Sequence, residues 1–192
     1  MEWNLEEMSR EERNAFLIAA FRWIAANPEL PTDVFFAKLA ALPTPFYEMI
    51  ELSNHGGEHL ILLDRRPTSD PFYAGRLATQ GGPIFFQETS LDTKRRHSER
   101  ETALPVSLWN VPNWRFCGVV NAPHTHRQHG VINVFARMWS RLPVSRSGEW
   151  YPLNAIKRDD MVPSNCEMAQ LAIDVIMGGY PPDYREYLGT DE

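Results

Sequence analysis

The sequence predicts an α+β fold in which a mixed β-sheet lies between helices, with a separate helical stretch at the N-terminus. Three observations lead there. Helical spacing fills the first 42 residues, short apolar runs with strand-like patterning follow, and helical spacing returns near residue 90 and from Ser164. Strands and helices therefore do not alternate regularly, which disfavours a doubly wound parallel sheet.

Residues 9 to 26 read as an amphipathic helix. Ser9 and Glu12 have the spacing of a capping box, each side chain satisfying a free amide at the helix start. Phe16, Leu17, Ala20, Phe21 and Ile24 recur at helical intervals. Asn27-Pro28 ends the run, because proline disfavours helical geometry in the residue before it. A second short helix is expected over about 32 to 42, with Val34, Phe35, Leu39 and Leu42, closed by Pro43 and Pro45. The chain thus divides into an N-terminal helical extension, 1–42, and one domain, 43–192. The apolar stripe of the first helix must be buried somewhere: on its own domain by default, or in a homodimer.

The character then changes. Phe46 to Leu52 and His59 to Leu63 are apolar runs around Asn54-His55-Gly56-Gly57, a hairpin signal whose glycines permit positive φ. A polar stretch with Pro67 and Pro71 leads to Gly81-Gly82 and Phe85-Phe86. Residues 90 to 102 look helical, with Thr89 or Ser90 as the cap. Strand signals return over Trp114 to Val120 and over Val131 to Trp139. The latter sets Val131, Asn133, Phe135 and Arg137 against Ile132, Val134, Ala136 and Met138. Trp150 to Leu153 is a further short strand. The closing helix starts at Ser164, with Glu167 three residues on, and stops at Gly178-Gly179.

Composition fits one packed domain: 192 residues, 43% hydrophobic and 11% aromatic. A net charge of −6 matters for partners. Proteins that live on a nucleic-acid backbone usually show a basic patch, and here the densest basic stretch, Lys94-Arg95-Arg96, runs straight into His97 and Glu99. RNA therefore ranks below a nucleotide-like small molecule. Cys117 and Cys166 form no CxxC, so neither a disulfide framework nor a zinc finger is indicated. The start lacks a signal-peptide pattern, and no apolar stretch approaches the roughly 18 residues of a membrane span. A cytoplasmic, reducing setting without a membrane is expected.

The chemistry-bearing segment runs from Gly82 to Leu104. Glu88 follows Gly82 after five residues, Arg96 follows after seven more, and His97, Arg100 and Glu101 come next. This resembles the Nudix box, G-x5-E-x7-R-E-U-x-E-E-x-G-U, with U a bulky aliphatic. Gly82, Glu88, Arg96, Glu101 and Leu104 fall on five of the nine specified positions, and His97, Ser98, Arg100 and Ala103 occupy the other four. The surroundings agree. Leu60 to Pro67 enters the loop as a Nudix sheet does, Gly81-Gly82 stands where the family places its glycine pair, and the stretch from Gly148 plus the closing helix is similar to the family's ending. The resemblance covers about residues 44 to 178.

The resemblance implies a Nudix-like α/β/α sandwich and a hydrolase of a nucleoside diphosphate linked to another moiety. Such chemistry needs phosphate charge neutralised and a water activated, and divalent metal ions do both. Glutamates clustered at one helix end suit a hard cation such as Mg²⁺ or Mn²⁺. Carried over residue by residue, Glu101, Glu88 and Arg96 take the catalytic roles, with Arg96 holding loop and helix in register and Glu101 a metal ligand. Two of the three usual ligand positions are here His97 and Arg100. His97 lies four residues before Glu101 on one helical face and can join it on a metal, although imidazole prefers zinc, nickel or copper. Alternatively Arg100 faces a phosphate, gripping it bidentately without metal. That second outcome describes a catalytically inactive module binding a nucleotide, RNA or a protein partner. Substrate contacts are expected from Arg100, from Arg65 at the loop 65–80, and from His124 and His126 in the loop 121–130. On the plainest reading the segment is a Gly-Gly turn before a solvated helix, with His97 an exposed histidine and Glu88 a helix cap.

Overall fold

In the computed structural model the described residues are 7–27, 31, 33–34, 44–85, 88–97, 114–122, 130–144 and 148–187. The N-terminal helix α1 spans Arg10–Ala26. Its capping box is formed: the Glu12 amide donates to Ser9 Oγ at 3.3 Å, and the Ser9 amide to Glu12 Oε2 at 2.9 Å. At the other end the Asn27 amide group donates to the Trp23 carbonyl at 2.8 Å. Of the stripe expected to bury against its own domain, Leu17 and Phe21 are exposed while Phe16, Ala20 and Ile24 are partly buried; Ile18 and Trp23, outside the stripe, are exposed too. Apart from Asp33 and Val34, the second expected helix lies outside the described residues.

One sheet organises the rest. Its strands are β1 (Thr44–His55), β2 (Glu58–Arg65), β3 (Leu77–Ala78), β4 (Gln80–Pro83), β5 (Arg115–Ala122), β6 (Gly130–Trp139), β7 (Glu149–Pro152) and β8 (Asp183–Glu186). The order is β3-β2-β1-β6-β5-β8, with β4 paired to β1 and β7 to β2. The β1–β6 and β5–β8 pairs are parallel and the others antiparallel, so the sheet is mixed. β1 and β2 join through Gly56-Gly57, whose φ angles of 63° and 84° are those a type I′ hairpin turn requires.

Alternation sorts the side chains onto two faces. One face carries Phe46, Ile50, Leu52, Ile61, Leu63, Val120, Ile132, Val134 and Ala136, packed against Met168, Leu171, Ala172 and Val175 of helix α3 (Pro163–Ile176). This is the apolar core. The other face carries Tyr47, Glu51, Phe135 and Arg137, and receives helix α2 (Ser90–His97), whose Lys94 lies over the Tyr47 and Phe135 rings. The layers are helix, sheet, helix. Among the described residues, no helix is long and apolar enough to cross a membrane.

The closing helix and β8 are among the elements that depart from the sequence reading. The closing helix begins at Pro163, not Ser164, because proline's fixed φ and missing N–H suit the first helical position. The expected Ser164–Glu167 capping box is therefore absent, and Glu167 pairs with Arg158 instead. β8 carried no apolar signal; its Asp183-Tyr184-Arg185-Glu186 is a strand because β5 pairs with it in register.

A buried ion pair fastens β1 to β6. Glu51 and Arg137 are directly opposed in the ladder. Arg137 Nε and Nη2 donate to Glu51 Oε2 and Oε1 at 2.6 and 2.7 Å, and Trp139 Nε1 adds a third bond at 2.5 Å. The guanidinium lies between the Trp114 and Trp139 rings, at 4.3 and 4.2 Å. Removing one member of such a pair strands a charge, which costs about 3–5 kcal/mol, whereas removing both is far milder. Glu51→Leu is thus expected to lower stability by about 3 kcal/mol or more in urea denaturation. Adding Arg137→Met should recover most of the loss. A single-variant loss below about 1 kcal/mol would show that the pair does not hold these strands.

Candidate functional site

The site is built where β4 leaves the sheet and α2 begins. Gly81 and Gly82 are not a turn: they sit in β4, opposite Glu48 and Tyr47 of β1. A Cβ on Gly81 would stand 2.2 Å from the Tyr47 carbonyl oxygen and 2.6 Å from the Glu48 side chain. Only glycine permits that approach. Beneath it, Glu48 is buried and accepts a bond from the Thr79 hydroxyl at 2.9 Å. The chain then peels away, with the Ile84 amide still bonded to the Pro45 carbonyl at 2.9 Å.

α2 is capped from both sides. The Asp92 amide donates to Thr89 Oγ1 at 3.2 Å, and the Thr89 amide to Asp92 Oδ2 at 3.1 Å. This identifies Thr89 as the cap. Thr93 is fully buried on the inner side of the helix.

Glu88 and Arg96 are brought together across loop and helix. Arg96 Nε donates to Glu88 Oε1 at 2.6 Å and Nη2 to Oε2 at 2.8 Å, a fork-to-fork arrangement. Glu88 Oε2 also accepts from the Phe85 amide at 2.9 Å and the Thr93 hydroxyl at 3.0 Å. Arg96 Nη2 reaches back to the Pro83 carbonyl at 2.8 Å, and the guanidinium stacks on Phe85 at 3.9 Å. The Arg96 contact, with those from Phe85 and Thr93, holds the Glu88 carboxyl down at about 2 against the opposing effect of burial. A carboxylate so engaged is a weak proton acceptor and offers no free oxygen to a cation. In this geometry Glu88 and Arg96 brace the loop against the helix.

The remaining candidates are placed unevenly. Arg65 donates to the Gly75 carbonyl at 2.7 Å and so ties down its own loop. In that loop, Asp70 accepts from Arg66 and from the Phe72 and Tyr73 amides. Arg100, Glu101, His124 and His126 lie outside the described residues, as does the side chain of His97. Among the described residues there is no group of three or more His, Cys, Asp or Glu placed to hold a metal. With Glu88 engaged, the box segment offers one carboxylate at a ligand position and one imidazole, beside a guanidinium. That leaves one oxygen donor where the resemblance implies a glutamate cluster, and an imidazole, which suits zinc, nickel or copper better than Mg²⁺ or Mn²⁺.

Sequence reasoning missed one feature of this side. The resemblance already gives Arg96 the role of holding loop and helix in register, but Lys94 counts there only as part of a basic stretch; a helix turns about 100° per residue and separates Lys94, Arg95 and Arg96. Arg95 is exposed, Arg96 pairs with Glu88, and Lys94 Nζ lies 3.9 Å from the Phe135 ring centroid and 5.6 Å from that of Tyr47. The burial of Thr93 beside Lys94 is the signal that the inner face passes through this point.

No protein-family model and no curated protein matches the sequence. Solved structures match the fold. The chain is similar to a mutT/nudix family protein from Listeria innocua, with a TM-score of 0.57 and 18% identity, covering 72% of this chain and 97% of that one. It is similar to the Nudix domain of Shewanella oneidensis NrtR, solved with ADP ribose, with a TM-score of 0.56 and 17% identity over 77% and 99% of the two chains. A MutT/nudix family protein from Enterococcus faecalis gives 0.56 and 17% over 93% and 76%. The chain has the Nudix fold: the resemblance carried by residues 82–104 holds at the level of architecture.

The brace has a pH signature. Its carboxyl falls from the usual 4.5 to about 2 on folding, a stabilisation of up to about 3 kcal/mol. Because the folded value is the lower one, this contribution is complete above pH 4.5 and disappears as pH falls towards 2. Carbonyl-carbon NMR of Glu88 is expected to titrate near 2, and Glu88→Gln should remove the corresponding part of the acid-limb stability loss. A Glu88 midpoint near 4.5 would contradict the brace.

Proposed function

We propose that this chain recognises a nucleoside diphosphate linked to a second group, at the loop and helix carrying Gly82, Glu88 and Arg96. The observation that supports this reading is the brace itself. Glu88 and Arg96 fix the path from Pro83 into α2 through bonds made wholly within the protein. Groups held in place before the ligand arrives lose less freedom on binding, and affinity rises accordingly. Arg100, standing where the Nudix box has a glutamate, adds a guanidinium fork suited to gripping a phosphate without a metal. The NrtR Nudix domain was solved with ADP ribose, a ligand of the class proposed. The recognising unit is residues 43–192, acting in the cytoplasm, with specificity from the loops 65–80 and 121–130 through Arg65, His124 and His126. RNA ranks lower because the chain carries a net charge of −6.

Hydrolysis of the phosphoanhydride is the second reading, favoured by Glu101, which keeps its ligand position. With His97 beside it, zinc suits these two residues better than magnesium or manganese.

A calorimetric titration with ADP-ribose and related dinucleotides, run beside a turnover assay, separates the two. The expected result is metal-independent binding that survives Glu101→Gln and weakens at least tenfold in Arg100→Glu. Turnover that requires Mg²⁺, Mn²⁺ or Zn²⁺ and is abolished by Glu101→Gln would establish the second reading in place of the first. Absence of binding to every compound would overturn both.

A further inference from the structure

Lys94 is a cation in a place where an apolar side chain would be easier to keep. The helix face turned to a sheet is normally apolar, and the next residue on that side, Thr93, is fully buried. Lys94 is half-buried, and burial lowers its pKa. Among the described residues no carboxylate lies within ion-pair distance of it, and it lies over the faces of Phe135 and Tyr47. Aromatic faces attract a cation, but they do not neutralise a charge drawn out of water as an anion does.

The rings beneath it form a continuous strip. Tyr47 stacks on Phe135 with centroids 5.0 Å apart, and Phe135 meets Phe116 at 5.3 Å. Phe116 and Phe135 are opposed in the β5–β6 ladder, so their side chains share the α2 face. The strip opens outward: Lys94 covers its middle, while Phe116 at its end is 40% exposed.

We propose that Lys94 and Phe116 form a nucleotide subsite on the α2 side of the sheet, the ammonium pairing with a ligand phosphate and the Phe116 ring stacking with the base. The inference rests on the nucleotide reading above and names residues for it. A simple anion has no use for an exposed ring, and an apolar ligand has none for an ammonium. A molecule with a phosphate at one end and a flat aromatic base at the other uses both.

The test titrates ADP and inorganic pyrophosphate into the wild-type chain, Lys94→Met and Phe116→Leu, with a thermal melt of each protein. Lys94→Met keeps the length of the side chain and removes the charge. It is expected to melt no lower than wild type while losing at least tenfold affinity for both ligands. Phe116→Leu should weaken ADP several-fold and leave pyrophosphate unchanged. A Lys94→Met protein that binds ADP as tightly as wild type overturns the subsite. So does one that melts well below wild type, which would make the lysine a structural contact. If wild type binds ADP and neither variant changes it, the subsite alone falls. If wild type binds neither ligand, the nucleotide reading falls and takes the subsite with it.

Discussion

The α2 side of this protein depends on the pair between Glu88 and Arg96. Seven residues separate them, yet they join the strand exit at Pro83, the turn at Phe85 and helix α2 through one carboxylate and one guanidinium. Charge-assisted, bidentate bonds are the strongest a side-chain pair makes, and these are largely shielded from solvent. Without them the stretch leaving β4 keeps the Ile84–Pro45 and Glu88–Phe85 backbone bonds and the Thr89 cap, and α2 has less reason to sit at one place on the sheet.

The sheet beneath is chemically two-sided. Towards α3 it is a continuous apolar core. Towards α2 it carries the Glu51–Arg137 pair, a half-buried lysine and a row of aromatic rings. Buried charges are a weak source of stability, since desolvation offsets much of what their attraction supplies. Their concentration sets the α2 face apart from the apolar α3 face. Glu88 and Arg96 hold the strand exit at Pro83 to α2.

Much of this was legible in the sequence because local rules and tertiary demands agree. β6 alternates cleanly since one face meets α3 and the other meets α2. The hairpin at Gly56-Gly57 needs positive φ and has the residues for it. The spacing of Gly82, Glu88 and Arg96 is readable because it resembles the Nudix box, and the structure joins Glu88 to Arg96. What could not be read depended on neighbours distant in the chain. β8 is charged and short, and only its pairing with β5 makes it a strand. Gly81-Gly82 resembles a turn until the contact with Tyr47 and Glu48 is known. Lys94 and Arg96 look alike in a basic run, but the helix aims one at aromatic rings and the other at a carboxylate. The capping signal at Ser164 was real in type and overridden by the proline before it.

The most direct measurement is a two-dimensional amide NMR titration of the whole chain with ADP-ribose in metal-free buffer. Recognition at the braced loop should move the resonances of Gly82, Phe85, Glu88 and α2 together, leaving the hairpin tip at Gly56-Gly57 and the strand β7 unmoved. Shifts confined to the α3 side of the sheet, or no shifts at millimolar ligand, would contradict it.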